Sequence, residues 1–355
     1  MMRSNLSRLF FSTLVVVIGA SRAHAREAAL LLEEPFGHFG GMTPTGHAAV
    51  YLSGVCAESP TELRSCRPGE DGVVLSRYHH IDGYDWLAIP LIPYLYAVDD
   101  PSEIPATADP GLETRLRDRY RREHLMDLVP DNPKKEIPGG EWTQLIGASY
   151  DRRIYGYAIE TSKEQDDALI ADFNGRANKS HFNFFFNNCA NFAENVMNYY
   201  YPHSIRRNFI ADAGLMTPKH AAKSLAKYEK KHSDLQTADF VIEQVPGTIP
   251  RSTPVDGVAE ALLKSKRYVV PITLLQPFAT AGLAVIYLGG GGRFHPDPHA
   301  AVFDPMKEAI PGIPAEQKIA SRSSTKAVAS PGLLNADSYD VADGAGAVRL
   351  THAEQ

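Results

Sequence analysis

One stretch holds residues whose types and spacing could do chemistry: HFNFFFNNCANFAENVMNYYYP, His181 to Pro202. A single cysteine, Cys189, follows two asparagines. Asn187 and Asn188 are good helix-capping residues, and Cys189, Phe192, Ala193, Val196, Tyr199 and Tyr200 recur at three- and four-residue spacing. The pattern predicts a helix that opens at Cys189 and stops at Pro202, with Asn191, Glu194 and Asn198 facing elsewhere. A thiol in the first turn meets unpaired N–H groups and a partial positive charge, which stabilise a thiolate and can hold an oxyanion. The chemistry on offer is nucleophilic attack on a carbonyl. The competing reading is a cysteine that fills a small gap under the helix, since free cysteines are among the most buried residues.

A thiol nucleophile needs a base within hydrogen-bond reach, usually histidine. In TGHAAVYLSG the alternation puts His47, Ala49 and Tyr51 on one side of a predicted strand and Ala48, Val50 and Leu52 on the other. Small residues surround the imidazole, and Gly46 lets another backbone approach closely. His47 is the candidate base, against the commoner role of a lone histidine as a hydrogen-bonded structural group. Candidates for a third group that orients the imidazole are His79, His80 and Asp82, where the strand GVVLS gives way to RYHHID. The histidine pair reads equally as a surface hairpin end or a stray metal site, and no ligand spacing links it to other residues.

The order of a strand histidine in GHAAVYL and a later helix cysteine in NNCANF resembles the circularly permuted papain-like proteins, among them NlpC-type peptidases and lecithin:retinol-acyltransferase-like enzymes. More narrowly, FNFFFNNCANF is similar to the exported bacterial family called domain of unknown function 4105. The resemblance covers the two motifs and a scaffold over roughly residues 35–205. It implies an α+β fold with a papain-like (permuted) core, in which a nucleophile-bearing helix packs on an antiparallel sheet. It also implies cysteine-dependent hydrolysis or acyl transfer, with Cys189 as nucleophile and His47 as base. It supplies no substrate and matches no third catalytic residue.

The elements that must position these residues sit in an exported chain. MMRSNLSRLF supplies two arginines, FFSTLVVVIGA an apolar core, and Ala23-His24-Ala25 a small-x-small cleavage site, so residues 1–25 read as a signal peptide. The periplasm or cell envelope is then the expected location. Export into an oxidising compartment favours pairing of Cys56 with Cys66, ten apart in a polar segment, and leaves Cys189 odd. The net charge of −6 and the absence of a basic aromatic stripe give no ground for a nucleic-acid partner, and none is expected.

Residues 26–205 are expected to hold the papain-like domain. Within them YDWLAIPLIPYLYAV, interrupted by Pro90 and Pro93, predicts an extended edge or groove-lining segment. GLETRLRDRYRREHLMDL predicts an amphipathic helix with Leu112, Leu116, Tyr120, Leu125 and Leu128 inward and a solvated arginine face from Arg115 to Arg122. RIYGYAIE predicts a strand, and Trp142, Tyr155 and Tyr157 are assigned to the core rather than a groove. Residues 206–268 read as a helical C-terminal extension, including a basic exposed helix that Thr217 caps and Pro218 opens.

Val269 to Leu288 carries no charge over 20 residues, about the length that spans a bilayer, although two prolines, Gln276 and the preceding Lys264, Lys266 and Arg267 argue against a simple span. A buried hairpin, a membrane-surface segment and an anchor are all compatible with it, and membrane contact is the favoured expectation. Residues 289–355 read as linker and disordered tail. Gly289–Gly292 lack the lysine of a phosphate loop, and His295, Asp297 and His299 carry little weight as metal ligands, so no cofactor and no metal are expected.

Two function classes follow. The first is an exported cysteine hydrolase or acyltransferase acting on an amide or ester in envelope peptides or lipids. The second is a non-catalytic envelope binding or assembly protein on the same scaffold.

Overall fold

The computed structural model describes residues 26–37, 45–79, 81–135, 137–207, 214–288, 294–297 and 299–305. The predicted signal peptide, His80, Gly289–Gly292 and the tail from 306 lie outside the described residues. Arg26 to Glu33, REAALLLE, is apolar without alternation, the signature of a strand covered on both faces. It forms β1 (Arg26–Glu33), the middle strand of a seven-stranded sheet. The others are β2 (His47–Leu52), β5 (Val73–Ser76), β6 (Leu87–Pro90), β7 (Ile154–Thr161), β8 (Thr237–Ile242) and β9 (Ala301–Val302). β3 (Val55–Ser59) and β4 (Glu62–Ser65) make a separate hairpin. The sheet order is β6-β5-β2-β1-β7-β8-β9, antiparallel throughout except for the β8–β9 pair.

The helices are α1 (Leu91–Tyr96), α2 (Pro110–His124), α3 (Ala148–Asp151), α4 (Lys163–Gly175), α5 (Cys189–Tyr200), α6 (Pro218–Lys231), α7 (Val258–Lys264), α8 (Lys266–Leu275) and α9 (Pro277–Ile286). The fold is therefore α+β with a mostly antiparallel sheet. One face, carrying Ala29, Leu31, Ala49 and Tyr51, is covered by α1, α3 and the loops around Trp142. The other, carrying Leu30, Leu32, Ala48, Val50 and Leu52, is covered by α4, α5 and α6. Each fully buried leucine of β1 contributes about 1.5–3 kcal/mol of transfer free energy.

Three expectations change. The segment from Leu87 does give an edge strand, β6, but it turns into α1 at Leu91, and Pro93 is accommodated in the first turn, where helical N–H groups have no intrahelical partner. The arginine face of α2 is not uniformly solvated: Arg117 and Arg121 are buried, because Glu113 and Asp151 pair with the first and Asp118 and Asp131 with the second. Residues 206–268 are not a helical appendage. They supply β8 to the main sheet, and α6 buries Lys219, His220, Ala221, Ala222 and Leu225, with Lys219 paired to buried Glu260.

Cys56 and Cys66 form a disulfide that closes the β3–β4 hairpin. Among the described residues no helix is long and apolar enough to cross a membrane.

The buried N-terminal end of β1 gives a pH prediction. Burial raises the Glu27 carboxyl to about 8. The folded state thus holds a proton that the unfolded chain, with its ordinary carboxyl, has lost, and stability falls as pH rises between these two values. The expected slope is roughly 1 kcal/mol per pH unit between about pH 5 and pH 8. Glu27→Gln is expected to flatten that slope, so urea melts at pH 5 and pH 8 check it, and an unchanged slope refutes it.

Candidate active site

α5 begins at Cys189 because Asn188 caps it. The Asn188 Oδ1 accepts the N–H groups of Ala190 at 2.9 Å and Asn191 at 3.1 Å, and Asn191 Oδ1 accepts the Asn188 N–H at 3.3 Å. This reciprocal cap buries Asn191, which the helical pattern had placed outward. It also takes up two of the first-turn donors that an oxyanion would use. Asn187 does not cap. Its Oδ1 accepts Arg77 Nη1 at 2.5 Å and its amide donates to the His181 carbonyl at 2.9 Å.

The helix packs on β2 through Ala190 and Ala193, both fully buried. Cys189 itself is half-buried at the helix start. Burial pushes the thiol up to about 11, with the backbone N–H of Ala48, the neighbour of His47, and the Arg77 charge pulling the other way. The thiol is protonated at neutral pH, contrary to the thiolate expected from a helix N-terminus. Desolvation here outweighs a helix dipole whose N–H groups are already capped.

His47 is the first residue of β2, and its exposure is 7%. Strand alternation turns its side chain to the face of Ala49 and Tyr51, opposite the face that α5 covers. There its ring stacks on Tyr78, with centroids 4.2 Å apart and planes 9° from parallel. Its Nε2 is buried without a hydrogen-bond partner, so it is not bonded to the thiol in this structure. The helix that opens at Cys189 packs on the other face of β2.

Around His47 lies a buried polar group that sequence reasoning missed. Glu33, paired with His47 in the β1–β2 register, contacts Arg152 at 2.9 Å and accepts the Tyr94 hydroxyl. Gly46 makes this approach feasible: its φ is +67°, and a Cβ there would lie 2.1 Å from the Glu33 carbonyl oxygen. Tyr78 donates to the Gln144 carbonyl at 2.9 Å, and Arg152 donates to the Gln144 side chain at 3.1 Å. Burial pushes the Glu33 carboxyl up, opposed by Arg152 and Tyr94. Burial, then the Arg152 charge, pushes the His47 imidazole well below its ordinary value. His47 is therefore neutral, and a weaker base than an ordinary imidazole.

On the α5 face, Arg77 is fixed by Asp85 at 2.5 Å, by Asn187 and by the Phe192 ring at 4.9 Å. It brings a positive charge towards the sulfur. The proposed orienting residues lie apart from this geometry. His79 is exposed and its ring lies against Phe182, Asp82 is exposed in a turn, and His80 is outside the described residues. The side chain beside the imidazole is Tyr78, and the nearest strong charges are Glu33 and Arg152.

Among the described residues, two clusters bring three ligand-type side chains together. In Cys56, Cys66 and Glu70 the sulfurs are spent on the disulfide, and Asp99, Glu123 and His124 are all exposed. His295, Asp297 and His299 do not converge in such a cluster. No protein-family model, no curated protein and no solved structure matches the chain.

Proposed function

We propose that the protein is an exported cysteine hydrolase or acyltransferase with a permuted papain-like core, acting on an amide or ester carbonyl of envelope peptides or lipids. One observation carries this reading: a half-buried thiol opens a helix that packs on β2, the strand that begins at a buried imidazole whose Nε2 has no partner. An unpaired buried nitrogen is costly in a structural histidine, and a proton acceptor awaiting a donor accounts for it.

In this mechanism Cys189 Sγ attacks the carbonyl carbon while His47 takes the thiol proton, a transfer that needs the imidazole to turn towards the sulfur. The carbonyl π electrons move to oxygen, where the Arg77 charge and the Cys189 N–H are the available stabilisers. Collapse expels the amine or alkoxide, which takes the proton from His47, and leaves a thioester on Cys189. Water or an acceptor amine then attacks the thioester and returns the proton to sulfur.

The test is capture of that thioester. Incubation with short- and medium-chain p-nitrophenyl esters is expected to add one acyl group to Cys189, removable by neutral hydroxylamine and absent in Cys189→Ala. No adduct on the folded protein, with Cys189 alkylated only after unfolding, would hand the scaffold to the second reading. That reading, a non-catalytic envelope binding protein, is favoured by the raised thiol.

A further inference from the structure

We propose that α8 and α9 form a hairpin that dips its tip into one leaflet of a lipid bilayer, holding the protein on a membrane surface without crossing it. The proposal stands apart from the chemistry at Cys189. Neither helix has a single buried residue, and among the described large hydrophobics Leu274 and Leu275, each 77% exposed, and Phe278, 89% exposed, are the most open to solvent. Contiguous apolar surface of this kind needs a cover.

The geometry says which cover. Only Gln276 separates the helices, the Thr273 and Thr280 hydroxyls meet across it at 3.1 Å, and α9 returns to contact α7. The two helices thus run antiparallel, with Leu274, Leu275 and Phe278 at the tip. Each has ten residues, about 15 Å of helix, half of the roughly 30 Å hydrocarbon core.

Part of the backbone at the bend is satisfied within the hairpin. Gln276 N–H donates to Ile272, its carbonyl accepts Ala279 and Thr280, Pro277 has no N–H to satisfy, and the Thr273 hydroxyl donates to Val269. At the open end Lys266 and Arg267 are exposed, with Tyr268 beside them and Tyr287 at the end of the return helix. Cations and tyrosines at that level are what anionic headgroups and the interfacial layer favour.

Flotation with vesicles of phosphatidylcholine, alone and mixed with phosphatidylglycerol, tests this. The protein is expected to float with both and more strongly with the mixture. A Leu274→Asp/Phe278→Asp variant is expected to bind at least about tenfold less, because a carboxylate at the tip opposes insertion. Both positions are exposed, so its thermal melt should match the parent. Lys266→Glu/Arg267→Glu is expected to lose the phosphatidylglycerol increment alone. A parent protein that stays with the vesicle-free fraction, or a tip variant that floats undiminished, overturns the proposal. So does a dimer that the tip variant dissolves without any flotation, which would assign the surface to a second copy.

Discussion

Replacing His47 by alanine is expected to slow acylation of Cys189 by about 10²–10⁴-fold at neutral pH, the range that a positioned general base supplies. The shifts at the site give the pH dependence its form. With the thiol at about 11, the spontaneous thiolate fraction at pH 7 is on the order of 10⁻⁴. Without a base, the rate should rise about tenfold per pH unit towards that value. With a neutral imidazole as acceptor, the parent rate should stay level from mildly acidic pH upward, because the His47 titration lies well below its ordinary value. The two profiles converge at high pH. Superimposable profiles for parent and His47→Ala would remove His47 from the mechanism, and circular dichroism of the variant separates this from misfolding.

Replacing Arg152 by methionine is expected to cost about 3–5 kcal/mol in urea unfolding, because it strands the Glu33 carboxylate in a fully buried position. The Tyr94 hydroxyl still donates to Glu33 but cannot neutralise it. Removing both charges, as Glu33→Leu/Arg152→Met, is expected to recover most of the loss, since a buried pair stabilises little relative to apolar residues of similar size. A single variant within 1 kcal/mol of the parent, or a double variant no better than the single, contradicts this account. The same change removes the cation that helps hold His47 neutral, so the level region of the acylation profile should begin at higher pH in any folded Arg152 variant.

The helix at Cys189, the strand at His47, the close approach at Gly46 and the disulfide were legible because local signals fix them: an asparagine cap, period-two alternation, a glycine, and two cysteines on one hairpin. The polar group behind His47 was not. Glu33 ends a strand with no alternation to read, and Arg152 lies two residues before β7 in a charged run that resembles surface. Only the β1–β2 and β1–β7 registers bring them together. Of the orienting candidates, His79 is one residue from Tyr78, the side chain that lies against the imidazole. Extending the alternation of β5 past Ser76 turns Arg77 to the α5 face and Tyr78 to the His47 face, whereas the eye goes to the histidine pair that follows. β8 was hidden for another reason. TADFVI is short and lies between basic and proline-rich segments, so its place beside β7 comes from tertiary packing alone.

The central position of β1 has a consequence for how the chain is made. Arg26 to Glu33 is among the first described segments to leave the ribosome, and β2 follows soon after, but its other neighbour, β7, does not appear until residues 154–161. Arg26 and its register partner Thr161 are 161 − 26 = 135 positions apart. At roughly 5–20 residues per second, a strand of alanines and leucines waits on the order of ten seconds with one edge unpaired. Such an edge is a template for wrong pairing. Slowing translation before β7 is therefore expected to increase aggregation more than slowing it afterwards.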